Sequence, residues 1–275
     1  MLRFVPLALA SVFPAGCTDA GTAQVHGESP TSASQADGAQ PGGGAVLLSG
    51  RRGAVDISEN NDVYTFEYSY PEEAGNIPGL RALLDSRIKT VREAHIAMAI
   101  DARADADAHK YPFNPYAYTT KWQVVADLPG WLSLSAEHWE FTGGAHGNTT
   151  FDTLLWDKRA QRARAPLSLF VSEAALQAAV QRDLCDLLDK QRAEKRGEPV
   201  VRNQEDWMSA CIGLDSTTVL LGSSNRRTFD RIGFLIPPYN AGPYVEGSYE
   251  VTLPVNQAIM QAVKPEFQSA FSAVR

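Results

Sequence analysis

The chain has 275 residues, 44% of them hydrophobic and 21% charged, with a net charge of −7. That acidity argues against nucleic acid as a partner, because phosphate wants a basic face, and against electrostatic adhesion to anionic lipid or acidic glycan. The length suffices for one large or two small domains with a genuine core.

Met1-Leu2-Arg3 places one positive charge ahead of a nearly apolar run over residues 4–13, and Pro14-Ala15-Gly16-Cys17 follows. A charged start, a short apolar run and small residues before a cut site predict an export signal over residues 1–16. The run is too short to cross a bilayer, which takes about 20 apolar residues. A cysteine directly after Ala-Gly resembles a bacterial lipobox, in which the thiol receives a diacylglyceryl chain. Pro14 stands where lipoboxes usually carry Leu, and the alternative is an ordinary secretory signal cut near Ala15 or Gly16. Residues 17–54 are Gly, Ala, Ser, Thr, Gln and Pro for the most part, with Pro41-Gly42-Gly43-Gly44 near the end. So little apolar surface cannot offset the entropy of ordering, which predicts a flexible tether. The expected location is the periplasmic side of the envelope, lipid-anchored through Cys17, or secretion if the anchor is absent. Thr18, in place of the Asp of inner-membrane lipoproteins, favours the outer membrane.

Residues 63–70 alternate, with Tyr64, Phe66, Tyr68 and Tyr70 on one face, and predict a half-buried strand. From Pro78 the spacing turns helical: Leu80, Leu84, Ile88, Val91, His95 and Met98 make one stripe, and the polar, Ala-rich stretch 101–110 is where the helix is expected to fray. Residues 55–113 thus read as a small unit of strand plus long helix, and 114–275 as a larger α+β unit. In the latter, 116–126 and 131–141 are strands joined at Pro129-Gly130, with a third at 149–156 and a short one near 165, an antiparallel meander. Ser172 announces a helix with Leu176, Val180, Leu184, Leu187 and Leu188 as its stripe, and the charged run 190–196 reads as its solvated end. Strands return at 217–221, 231–236 and 247–253, before a short helix after Pro254. The fold class is α+β, antiparallel sheets covered by helices. Cys185 and Cys211 predict one disulfide in an oxidising compartment, stabilising by about 3 kcal/mol. Neither has a partner at metal-ligand spacing, and no metal or cofactor is expected.

Two stretches invite a functional reading. In Phe141-Thr142-Gly143-Gly144-Ala145-His146-Gly147-Asn148 the glycines demand positive φ or close approach, His146 sits at the tip, and His138 and Glu140 precede it on one strand face. In Pro237-Pro238-Tyr239-Asn240-Ala241-Gly242-Pro243-Tyr244-Val245-Glu246-Gly247, prolines hold tyrosines that present flat amphipathic surface at small entropic cost. Together these stretches are similar to a bacterial extracytoplasmic domain family of unknown function. Its relatives include the outer portion of a lysozyme-sensing anti-sigma factor and the non-catalytic part of a peptidoglycan deacetylase, and residues 64–98 resemble the small companion domain found with it. The resemblance covers about 63–263 and implies Gly143, Gly144, His146, Tyr239, Tyr244 and Glu246 as binding residues, with peptidoglycan or a lysozyme-like protein as partner. No Asp/His deacetylase motif, Gly-x-Ser-x-Gly elbow or P-loop accompanies it. Three readings follow: a tethered binding or sensing module; a wall-directed hydrolase using His146 with Glu140, Asp152 or Glu246; or a structural envelope protein. Convergence of His138, Glu140, His146, Tyr244 and Glu246 on one cleft would favour the hydrolase, and dispersal one of the others.

Overall fold

The computed structural model describes Leu47–Leu48 and residues 53–274; the predicted signal 1–16, Cys17 and most of the predicted tether lie outside the described residues. Within the stretch assigned to the tether, Leu47–Leu48 is strand β1, pairing antiparallel with β2 (Val55–Asn60). Composition alone misses it, because the partner edge that makes a two-residue strand worthwhile comes later in the chain. β3 (Tyr64–Tyr70) buries Phe66, Tyr68 and Tyr70 as the alternation predicts. A single helical turn, α1 (Glu72–Gly75), leads into α2 (Pro78–His109).

Helix α2 runs past the point where fraying was expected. Alanine is the best helix former, and Ala99 and Ala106 are fully buried, so the small side chains continue the packed face. Arg103 adds a bond to Asp107 one turn on, and Lys110 closes the helix with φ 59°. Met98, expected inward, is 46% exposed, and Ala99 takes the inward position.

β4 (Tyr116–Leu128), β5 (Trp131–Phe141), β6 (Asn148–Asp157) and β7 (Arg162–Arg164) form the predicted meander. Strands β1 to β7 make one sheet in chain order, antiparallel except between β3 and β4, where α2 is the crossover that lets them run parallel. That sheet is continuous across residues 113–114. After a 3-10 turn comes α3 (Glu173–Arg196), capped by the Ser172 hydroxyl accepting from the Ala175 amide at 3.0 Å and ended by Gly197 at φ 74°. β8 (Thr218–Gly222), β9 (Arg231–Ile236) and β10 (Tyr249–Pro254) form a second, antiparallel sheet, followed by α4 (Gln257–Ala262).

Two cores flank the large sheet. On one face α2 sets Leu80, Leu84 and Ile88 against Phe66, Trp122, Leu132, Leu134, Leu154 and Trp156. On the other face β8 crosses β6, with the Thr153 hydroxyl donating to the Val219 carbonyl and that of Thr218 to the Phe151 carbonyl. Beyond it α3 packs Leu176, Val180, Leu184 and Leu188 on Val219, Leu221, Phe234, Ile236 and Val251. The Cys185–Cys211 disulfide ties α3 to the segment before β8. The class is α+β, as the residue pattern implies.

Candidate functional site

The two signature stretches are the β5–β6 and β9–β10 connections, and the fold brings them into contact. The His146 ring lies on that of Tyr244, centroids 3.7 Å apart and planes 18° from parallel, with Tyr239 completing the group at 6.3 and 5.6 Å. The Gly147 carbonyl accepts from His146 Nδ1 at 2.9 Å and from the Tyr244 hydroxyl at 2.8 Å. A carbonyl only accepts, so the imidazole proton sits on Nδ1, and Nε2 accepts from the Tyr239 hydroxyl at 3.2 Å. Both ring nitrogens are therefore occupied. Tyr239 holds an uncommon φ of 73° for a residue with a side chain and is 49% exposed.

Two of the glycines are explained by geometry. Gly143 has φ 83°, and a Cβ on Gly147 would stand 2.3 Å from the Trp139 indole. Gly144 borders open space.

Glu246 does different work from the aromatic residues. Arg196 of α3 grips its carboxylate with Nε at 2.7 Å and Nη2 at 3.0 Å, and the Tyr249 hydroxyl donates to it as well. Burial by itself pushes this carboxyl up, but the bonds from Arg196 and Tyr249 prevail and hold it below its ordinary value. A Cβ on Gly242 would lie 2.0 Å from Glu246 Oε2, and that oxygen is pinned. Lys195 donates to the Glu246 and Ser248 carbonyls, and Arg192, fully buried, donates to the carbonyls of Ala241 and Ala210. The charged end of α3 is thus a buttress under the tyrosine loop, not the solvated terminus its composition suggested. A signal was present: Leu176, Val180, Leu184, Leu188, Arg192 and Arg196 recur every four residues, so both arginines continue the packed stripe.

The other candidates lie apart. His138 is on the α2 side of β5, its Nδ1 2.8 Å from the Thr120 hydroxyl, and Asp152 is paired with Arg87 at 2.7 Å. None of Glu140, Asp152 and Glu246 is hydrogen-bonded to His146. Among the described residues no three His, Cys, Asp or Glu side chains gather to hold a metal ion.

Comparison with known proteins follows the same lines. Residues 57–149, from β2 to the start of β6 and including the glycine turn, match the family model described as deacetylase PdaC. The fold is similar to that of a DUF3298 family member from Bacteroides fragilis, with TM-score 0.53 and 16% identity over 82% of this chain and 97% of that one. A DUF3298 family protein from Pseudomonas aeruginosa matches with TM-score 0.42 and 14% identity over 83% of this chain and 98% of that one. No curated protein matches. The resemblance carried by the two signature stretches is consistent with the family-model match and the fold of the Bacteroides protein.

Proposed function

We propose that this chain, with its DUF3298-like fold, is a non-enzymatic binding or sensing module on the periplasmic side of the envelope, held by a lipid on Cys17. Its partner is cell-wall glycan or a lysozyme-like protein. The observation that carries the reading is the Tyr239–His146–Tyr244 group: a partly exposed aromatic platform made from both signature loops and stiffened from beneath by α3. Rigid aromatic surface of this kind suits a sugar face or a protein hot spot, since little side-chain entropy is lost on contact. The hydrolase reading draws no support from the geometry, because His146 has both nitrogens engaged and no carboxylate behind it. Asp152 faces α2 beside His138, and Glu246 is held by Arg196.

Titration of the protein with soluble peptidoglycan fragments and, separately, with lysozyme tests the platform. Saturable binding to one of them is expected, weakened about tenfold or more in Tyr244→Ala, the size of effect a central aromatic anchor carries. Absence of both interactions at high micromolar concentration defeats the reading. Labelled palmitate incorporated by the native chain and lost in Cys17→Ser tests the anchor separately.

A further inference from the structure

On the opposite side of the large sheet from β8, α2 and strands β3 to β6 enclose a groove of about 330 Å³. Its volume is at the small end of ligand sites, which span about 300–1,000 Å³. Its floor is fixed: the buried Trp122 indole donates to the Tyr68 hydroxyl at 2.7 Å. Across it Arg87 reaches from α2 to Asp152 on β6 at 2.7 Å, its guanidinium 5.4 Å from the centre of the Trp122 ring. Both charged side chains stay about two-fifths exposed, at 39% and 43%, so they remain open to a ligand. Thr120 orients His138 through Nδ1, and among the described residues no group bonds Nε2. The Tyr118 ring completes the wall.

The charges decide the ligand class. Asp152 cancels Arg87, and burial, although opposed by Asp152, lowers the affinity of His138 for a proton, which leaves the imidazole neutral at neutral pH. The groove therefore has no net charge with which to select an anion or a cation. What remains is a planar donor, a planar acceptor and an imidazole nitrogen beside aromatic surface. Guanidinium and carboxylate each meet two neighbouring hydroxyls, one giving and one taking hydrogen bonds, while an aromatic ring covers a C–H face. We infer that this groove is a binding site for one neutral pyranose residue, held by Arg87, Asp152 and His138 against Tyr118. The site is separate from the Tyr239–His146–Tyr244 platform and does not depend on it.

The test is NMR titration of the whole chain with methyl glycosides of glucose and N-acetylglucosamine, with N-acetylmuramic acid, an anion at neutral pH, as the charged control. Saturable shifts of the His138 and Trp122 ring signals are expected, with the neutral sugars favoured. Asp152→Asn and His138→Gln, which preserve side-chain size, should each weaken binding at least tenfold. Because the ring shifts are read on the unaltered protein, an unstable variant does not remove the test. No saturable shift at tens of millimolar sugar overturns the inference. So does undiminished binding by either groove variant, or preference for the charged sugar.

Discussion

His95 shows how one residue of an apolar stripe can carry a pH dependence. It is 1% exposed, with Tyr64, Phe66 and Tyr118 packed around the ring, and its Nε2 proton goes to the Thr65 carbonyl at 3.1 Å while Nδ1 has no partner among the described residues. Burial lowers its proton affinity, and the Thr65 carbonyl, Glu140 and the Tyr116 backbone only partly oppose that. The unfolded chain therefore takes the proton more readily. This contribution to stability is whole above the ordinary value of 6.5 and shrinks as pH falls below it. His95→Phe should flatten the loss of stability between about pH 7 and 5, read from urea midpoints. An unchanged slope would refute the assignment. His138 adds a dependence of the same sign, so the flattening is partial. The sequence placed His95 on the inner stripe correctly. It could not announce the orphan nitrogen, which follows from the strand that α2 happens to meet.

At the scale of elements, α3 is the organising piece. Its start was legible, because Ser172 has the side chain that an N-terminus needs. Its end was not, because a run of Lys, Glu and Arg looks the same in composition whether it meets water or the underside of a loop. Only the recurrence of Arg192 and Arg196 on the leucine stripe distinguishes the two. The same helix carries Cys185, whose bond to Cys211 closes a separation of 26 residues and fixes the segment that supplies the Ala210 carbonyl to Arg192. Reduction under native conditions should lower stability by about 3 kcal/mol and raise amide exchange in residues 198–213 before it does so in α3. Equal denaturation midpoints with and without reductant would show that the bond constrains little. Strand boundaries were the easier part: Pro129-Gly130 and the alternation on either side mark β4 and β5, whereas the Ala-rich third of α2 gives no apolar stripe to follow.

For the whole molecule, the two cores share the strands β4 to β6, one on each face. The apolar stripe of α2 is completed by Trp122, Leu132, Leu134, Leu154 and Trp156, all downstream of residue 114. β3 likewise takes its inner neighbour from β4. A fragment of residues 53–113 should therefore be unfolded by circular dichroism, while 53–274 unfolds in one transition seen alike by tryptophan fluorescence and far-ultraviolet ellipticity. A folded fragment with a dispersed amide spectrum would contradict this and restore a small unit as an independent body.

By itself the sequence determined what is local. Alternation, helical spacing, caps, turn residues and a leftover cysteine pair gave the fold class, most element positions and the disulfide. The signature loops stood out because glycine and proline leave their mark in the chain where the backbone needs them. Tertiary structure decided what depends on partners distant in the chain. It stacked His146 on Tyr244, paired Glu246 with Arg196, turned a charged helix end into a support, and opened a groove around Arg87, Asp152 and His138. The physical reason is that a side chain's chemistry is set by which groups the fold brings within a few ångströms, and Tyr244 finds its Gly147 partner 97 residues away.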